Sequence, residues 1–390
     1  MTINILMLTD KNYISQAKVA MYSACKNTNP KVKIVFTIFC DKSVDRKSRE
    51  RLFSLEKIFS NIKVNFSEIA NEDFVYAKSE YRVPIVSYYR LIAAKILDME
   101  KVLCLDSDLI VEMDLVELYE IDIENYYIAG VRDLYPILYP NFASSYAEQY
   151  NIKNFCDYIN CGVLLMNLKL MRKDNIVEVF LNELKKKNLW LDQDIFNRVC
   201  SGRIRLIDWK YNHITSYTNE EYEWNYKSSE KEGIKEILHF CGPSKPWDNR
   251  FISMADKWWR VAKEALEKDI YLDIYRLASI GEGSKKMLDI ASICMDCKTI
   301  IIVGYSNHGV FIRNALLKYG VTANILFCDN NPEKRKLMLI DKKIYSPVEA
   351  AKEYKEAIWV NSVQKQRNAI IEQLKELKIP DERIVNYVYE

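Results

Sequence analysis

Apolar and polar positions along this chain follow two different periods, and the way those periods alternate sets the fold class. Ile3-Asn-Ile-Leu-Met-Leu8 is an almost continuous apolar run, the pattern of a strand covered on both faces. Gln16 to Lys26 changes to helical spacing, and Lys33-Ile-Val-Phe-Thr-Ile-Phe39 returns to a strand. Asp45 to Phe59 places Leu52, Leu55, Ile58 and Phe59 at helical intervals and predicts one helix. Lys101-Val-Leu-Cys-Leu105 predicts a strand that runs directly into Asp106-Ser107-Asp108. Such alternation predicts the α/β class, with a parallel-rich sheet and helices on both faces.

A second series starts after about residue 285. Thr299-Ile-Ile-Ile-Val303 reads as a strand, followed by Gly304, a helix over Val310 to Tyr319 and a strand at Asn324-Ile-Leu-Phe-Cys328 that ends in Asp329. Lys355 to Val360 predicts a further strand and Gln364 to Leu377 a further helix. The expected organisation is a first domain over 1–265, a helical linker over 266–297 and a smaller α/β domain over 298–390, joined near the Gly-rich Ile280-Gly-Glu-Gly-Ser284.

Composition narrows the function classes. The chain has 390 residues, 49% hydrophobic and 28% charged, enough for a sizeable core and two or three domains. With 56 basic and 54 acidic residues the net charge is +2, which gives no field for nucleic acid. No apolar run reaches the roughly 18 residues of a spanning helix. Met1 leads into apolar residues without a basic n-region, so no signal peptide is expected. The ten cysteines then read as reduced thiols of a cytoplasmic protein.

Four segments carry candidate chemistry. Asp106 and Asp108 flank a small residue directly after a strand, where open α/β sheets bind ligands, and such a pair suits Mg²⁺ or Mn²⁺ holding phosphate oxygens. An ordinary Asp turn is the simpler account of that pair alone. His239 ends the strand-like Ile237-Leu-His239 and precedes a Gly-Pro turn and Lys245. Imidazole is a sound third ligand for Mn²⁺, and Lys245 could neutralise a diphosphate. A core histidine beside a structural turn fits equally. Asp192, Gln193 and Asp194 open a helix. An N-cap accounts for one of them, but three polar groups together could hold sugar hydroxyls. Asn160 precedes Cys161-Gly162 and a strand, so its amide could face the same crevice, or merely form a turn.

Together these segments resemble glycosyltransferase family 8, the retaining galactosyl- and glucosyltransferases of bacterial cell-surface glycan synthesis. The pieces occur in the family's order: Leu8-Thr-Asp-Lys-Asn-Tyr13, Ser87-Tyr-Tyr-Arg-Leu91, Leu105-Asp-Ser-Asp-Leu109, Ile159-Asn-Cys-Gly-Val163, Leu191-Asp-Gln-Asp-Ile195 and His239-Phe-Cys-Gly-Pro-Ser-Lys-Pro-Trp247. The likeness covers roughly residues 1–265 and implies the GT-A fold, a nucleotide-binding α/β domain with a mixed central sheet. It implies that Asp106, Asp108 and His239 bind Mn²⁺, with Mg²⁺ as the substitute. Asp10 and Asn12 match the uridine contacts, Tyr13 the stacking on uracil, and Leu8 a backbone contact to the base. Arg90 matches the donor-contacting arginine, Asn160 and Asp192 the donor sugar contacts, and Gly242 and Lys245 the diphosphate cradle. Ser107 and Cys161 fall in the same nucleotide-sugar set. Gln193 matches the position at the reacting face. Thr9 and Lys11 depart from the family's usual residues without removing a ligand.

The implied reaction transfers glucose or galactose from a UDP-sugar to a saccharide or glycoconjugate with retention. That requires either a double displacement or same-face attack by the acceptor. The Gln193 amide is a poor nucleophile, which favours same-face attack, with Asp194 as the fallback nucleophile. Two rival classes make different demands on the same residues. A sugar-phosphate nucleotidyltransferase would want a glycine-rich phosphate loop, and Leu8 to Tyr13 holds no glycine. A non-catalytic transferase-like scaffold would not need Asp106, Asp108, His239 and Lys245 together.

The C-terminal series resembles the small Rossmann-like domains attached to some bacterial sugar-modifying enzymes. Its turn, Gly304-Tyr-Ser-Asn-His-Gly309, has Ser306 where the dinucleotide fingerprint needs its middle glycine, so a role in oligomerisation or partner docking is expected in place of NAD binding. Cys294-Met-Asp-Cys297 lacks the second pair a structural zinc needs. Trp258-Trp259 between Lys257 and Arg260 fits core packing or a membrane-interface belt, and peripheral contact with the inner membrane face stays open. The tyrosine-rich stretch from Tyr76 to Tyr89 fits a loop over the donor or packing.

Overall fold

The structure, a computed structural model, describes residues 1–77, 84–133, 157–185, 191–215, 235–242, 245–250, 252, 254–280, 282–335, 338–339, 342–363 and 366–387. Pro243, Ser244, Gly281 and Gln364, all in segments singled out above, lie outside the described residues. The chain forms two compact units: Met1–Ile214 with Lys235–Pro243 and Arg260–Leu266, and Thr215–Ile234 with Ser244–Trp259 and Glu267–Glu390.

In the first unit the strands are β1 (Thr2–Thr9), β2 (Lys33–Cys40), β3 (Ile62–Glu68), β4 (Lys101–Leu105), β5 (Leu109–Val111), β6 (Ile128–Arg132), β7 (Ile159–Asn167), β8 (Ile204–Ile207), β9 (His213–Ile214) and β10 (Ile237–His239). Helix α1 (Ile14–Asn27) follows β1, and α2 (Asp192–Val199) follows β7. Seven strands make a mixed sheet in the order β3-β2-β1-β4-β7-β6-β8, with β7 antiparallel to both its neighbours. Side chains of β1 explain the near-continuous apolar run. Ile3, Ile5 and Met7 pack in one core with Ala17, Ala20 and Met21 of α1, while Leu6 and Leu8 pack in the opposite core with Tyr88, Tyr89 and Leu91. With both faces covered, no polar alternation survives.

The second, smaller sheet of this unit has the order β5-β10-β9. Antiparallel pairing sets His239 opposite Leu109, and the Phe240 N–H donates to the Asp108 carbonyl at 3.0 Å. This register delivers a residue from the far end of the unit to the end of β4.

The single helix expected over Asp45–Phe59 is instead two short elements. An α-helix over Arg46–Phe53, capped by the Asp45 carboxylate, gives way to a 3₁₀ turn over Ser54–Lys57. The Ser54 hydroxyl bonds back to the Arg51 carbonyl at 2.7 Å, and Glu56 turns to accept the Val64 N–H at 2.7 Å.

The second unit opens with α3 (Lys268–Ile280) and α4 (Glu282–Cys294). The Gly-rich stretch falls between these two helices, inside the unit, and is not the join. Nor is α4 a linker, because its Met287, Ile290, Ala291 and Cys294 pack in the core with Ile300 and Ile302. The strands β11 (Thr299–Val303), β12 (Asn324–Cys328), β13 (Met338–Leu339), β14 (Lys342–Tyr345), β15 (Ile358–Asn361) and β16 (Ile384–Asn386) form a sheet in the order β13-β14-β12-β11-β15-β16. All its pairings are parallel except β13 with β14. Helix α5 (Asn307–Lys318) connects β11 to β12.

Trp258 and Trp259 are buried, Trp259 with its ring edge-on to Tyr271 and Tyr275 and its N–H donated to the Pro246 carbonyl at 3.1 Å. They are core residues and leave no aromatic belt. Cys294 is buried, its thiol pushed up to about 12 by burial, while Cys297 donates to the Ile293 carbonyl. Among the described residues no helix is long and apolar enough to cross a membrane, and every described cysteine is a free thiol.

Replacing the fully buried Trp359→Ala is expected to cost about 3–5 kcal/mol. Denaturant unfolding should show the second unit's transition moving to lower concentration, with the first unit's transition in place.

Candidate active site

The candidate residues of the first unit gather where β4 and β10 end and β7 begins. Asp106 follows β4 directly and its N–H donates to the Gly162 carbonyl at 2.9 Å, so the turn is tied to β7. The Ser107 hydroxyl donates to the Leu8 carbonyl at 2.8 Å, so the same turn is also tied to the end of β1. Asp108, nearly buried, then faces His239: Oδ1 lies 3.2 Å from Nε2, and Asp106 Oδ2 lies 3.9 Å from the same nitrogen. One ligand atom from each of Asp106, Asp108 and His239 falls within 4.8 Å of the others. Two carboxylates and an imidazole are a hard-to-borderline donor set that fits a divalent ion such as Mn²⁺ or Mg²⁺.

Gly162 makes room for the imidazole. A Cβ there would stand 2.2 Å from His239 Cε1 and 2.6 Å from Nδ1. The ring and any larger residue cannot share that space.

Arg90 is the one guanidinium among these acids. It sits in a 3₁₀ segment over Ile85–Ile92 and is 3% exposed. It donates to Asp106 Oδ1 at 2.5 Å and to the Cys161 carbonyl, and its Nε lies 3.1 Å from both the Ser87 carbonyl and Asp192 Oδ2. Burial works against its charge, but the Asp106 and Asp192 carboxylates outweigh burial and hold it well above the ordinary arginine value. Burial also dominates at Asp192 and raises its carboxyl to about 6, although Arg90 pulls the other way. Burial drives the Cys161 thiol well up.

The three polar residues that open α2 have separate roles. The N-cap is Leu191, and Asp194 closes the cap by accepting the Leu191 N–H at 3.1 Å. Its other oxygen accepts the Tyr158 hydroxyl at 2.6 Å. Gln193 is held at both ends: Oε1 accepts the Cys161 N–H at 3.1 Å and Nε2 donates to Asp133 at 3.0 Å. Asn160 is buried nearby, its Nδ2 3.5 Å from the same Asp133 oxygen and 4.0 Å from Cys241 Sγ.

At the end of β1, Asp10 Oδ1 accepts the N–H groups of Asn12 at 2.8 Å and Tyr13 at 3.2 Å. This local turn presents Asn12 and Tyr13 ahead of α1. Gly242 follows β10 with φ +93°, a left-handed turn. Lys245 belongs to the second unit, its Nζ 6.0 Å from the Trp247 ring. Tyr88 and Tyr89 are packed in the core, which settles the end of the tyrosine-rich stretch as packing, while its residues 78–83 lie outside the described residues.

The family profile of glycosyl transferase family 8 matches residues 4–250. The chain belongs to glycosyltransferase family 8. A Haemophilus influenzae protein named as a glycosyltransferase is 31% identical over 254 residues, 64% of this chain and 74% of that one. An Escherichia coli lipopolysaccharide 1,2-glucosyltransferase is 27% identical over 63% of this chain and 73% of its own. The solved structure of galactosyltransferase LgtC, in complex with donor and acceptor sugar analogs, superposes with a TM-score of 0.57 at 24% identity, covering 68% of this chain and 98% of that chain. That likeness establishes a GT-A-like α/β fold for the family 8 portion.

Two members of the cluster escaped the reading of the sequence. Asp133 follows β6 as Asp106 follows β4, and the same strand-end signal in Ile128-Ala-Gly-Val-Arg132 could have marked it. Asn212 carries no local signal, because only the β9–β10 pairing brings it to His239.

Gly162→Ala is expected to displace His239 and weaken divalent-metal binding roughly tenfold or more. Titration with Mn²⁺ followed by electron paramagnetic resonance measures this, with circular dichroism as the check on folding.

Proposed function

We propose that the first unit is a retaining, Mn²⁺-dependent hexosyltransferase that moves glucose or galactose from a UDP-sugar to a saccharide or glycoconjugate acceptor. The observation that carries this reading is the convergence of Asp106, Asp108 and His239 beside Arg90 in a chain of this family. A bound Mn²⁺ supplies electrostatic stabilisation of the diphosphate leaving group. Asp106, Asp108 and His239 are the residues that would hold it.

The protein's own groups bind and orient the donor. Asp10, Asn12 and Tyr13 take the uridine, with Leu8 at the base. Arg90 meets the donor, and Asn160, Cys161 and Asp192 line the sugar. Gly242 takes its place in the diphosphate cradle, with Ser107 setting the turn between the two aspartates. Gln193 sits at the reacting face, clamped between the Cys161 N–H and Asp133. An amide engaged at both ends is a poor nucleophile. Asp194, the alternative, has one oxygen on the Leu191 N–H and the other on the Tyr158 hydroxyl. Both arrangements support same-face attack by the acceptor over an enzyme-bound intermediate.

The second unit is read as a Rossmann-like domain for oligomerisation or docking, supported by its parallel strand order. The fitting location is the cytoplasm, with peripheral contact at the inner membrane face where the acceptor is lipid-linked.

Thermal unfolding with UDP tests the reading. At about 100 times Kd, ligand adds roughly 2.7 kcal/mol, a shift of several degrees for a unit of this size. The shift should require Mn²⁺ and vanish in Asp108→Asn. Its absence from the wild type would favour a non-catalytic scaffold.

The pH dependence follows from Asp192. With its carboxyl raised to about 6, the residue is protonated below that pH and loses its charge toward Arg90. Transfer at saturating Mn²⁺ should therefore rise through about pH 6. Asp192→Asn should flatten that limb and lower kcat/KM roughly 10- to 100-fold, the worth of one charge-assisted hydrogen bond of about 1.5–3 kcal/mol.

A further inference from the structure

The hydrogen bonds behind His239 fix which of its nitrogens carries the proton. The Gly162 backbone N–H donates at 2.9 Å to Asn160, so the Asn160 atom it meets is the oxygen, Oδ1. Asn212 also meets that oxygen at 2.9 Å and must donate to it, which makes the Asn212 atom Nδ2. Asn212 Oδ1 is then the atom 2.9 Å from His239 Nδ1. A carbonyl oxygen only accepts, so Nδ1 holds a hydrogen, and Nε2 is the nitrogen that gives up its own when a divalent ion takes its place. Nε2 is also the nitrogen that faces Asp108 and Asp106, at 3.2 and 3.9 Å.

We infer that Asn212 is a positioning residue: it holds His239 in the tautomer and ring orientation that a divalent ion requires. Asn212 is fully buried, so it acts through His239 and not on substrate. Its backbone is held as well, with its N–H on the Trp209 carbonyl at 3.0 Å and the following strand β9 paired to β10. The same side chain joins the metal ligand to Asn160 on the sugar side. Ligating histidines commonly donate their second ring N–H to a neighbouring acceptor, and loss of that acceptor weakens metal binding about 10- to 100-fold.

The inference rests on the metal reading above, and the experiment separates the two. Nitrogen-15 NMR of the metal-free full chain at mildly alkaline pH reads the tautomer of His239, one of three histidines, identified by its loss in His239→Gln. The expected result is the Nδ1–H form in the wild type. An Nε2–H ring there would overturn the inference without any variant having to fold. Mn²⁺ titration by electron paramagnetic resonance should then show Asn212→Ala binding about 10- to 100-fold more weakly than wild type. Asn212→Asp, which keeps an acceptor for Nδ1–H, should recover most of that loss. Equal Mn²⁺ affinity in wild type and a folded Asn212→Ala would overturn the inference. Wild type that takes up Mn²⁺ no better than Asp108→Asn would sink the metal reading itself, and the tautomer measured without metal would still decide whether Asn212 sets the ring.

Discussion

Negative charge gathered at the end of β4 is the constraint on which the first unit depends. Asp106, Asp108 and Asp192 converge around Arg90, which reaches two of them with its only charge. Among these four side chains, three carboxylates against one guanidinium leave two negative charges over when all are ionised, in surroundings where charges interact more strongly than in water. A divalent cation matches that excess. The raised Asp192 carboxyl is the same imbalance seen at one residue, since burial there outweighs even a directly bonded arginine. The scaffold is arranged to keep the charges together. Ser107 ties the acidic turn to β1, the Gly162 carbonyl ties it to β7, and antiparallel pairing of β5 with β10 carries His239 to it.

Each of those ties explains a small residue. A serine between the aspartates lets its hydroxyl reach the Leu8 carbonyl, and Gly162 leaves the volume that the imidazole fills. The amides repeat the theme in the polar half of the site. Asn160, Gln193 and Asn212 each use both ends of the side chain, so this half of the cluster is a set of groups that orient one another. Such a network is stable only when every member is satisfied, which makes single substitutions within it costly.

How much of this was legible in the sequence depended on the range of the interactions. Strands β1, β2, β4, β11 and β12 announce themselves because burial on both faces leaves continuous apolar runs, a local property. The acidic turn and His239 are likewise visible as polar residues at the ends of such runs, and Asp192 to Asp194 as polar residues opening a helix. Asp133 carried the same signal and was passed over. Asn212 could not be found, because its partners His239 and Asn160 lie 27 and 52 residues away and only sheet pairing brings them near. The place of α4 differs from its reading as a linker for a related reason: it looks like a connector in its own sequence and becomes core only when Met287 and Ile290 pack with Ile300 and Ile302.

The second unit shows why strand order alone does not carry a function. Its parallel strands run β14-β12-β11-β15-β16, and in such sheets ligands bind at the carboxyl ends, between β11 and β15, where free N–H groups at the first turn meet a phosphate. Here two of those groups are engaged within the turn. The Tyr305 N–H is held by Asp329 Oδ2 at 2.8 Å, and Asp329 Oδ1 accepts the Asn331 N–H at 2.8 Å. Ser306, where the fingerprint wants glycine, caps α5 by accepting the Gly309 N–H. On the other side of the crevice the Ser362 hydroxyl donates to the Val303 carbonyl at 2.7 Å and lies 3.1 Å from that of Gly304. Even the acid in the ribose-binding position has turned inward to hold the turn. A ligand that took the Tyr305 N–H or the Gly309 N–H would have to replace a satisfied hydrogen bond, an exchange that returns little net free energy. The glycines at 304 and 309 serve the closeness of strand and helix, since a Cβ at 309 would stand 2.3 Å from the Gly304 carbonyl oxygen.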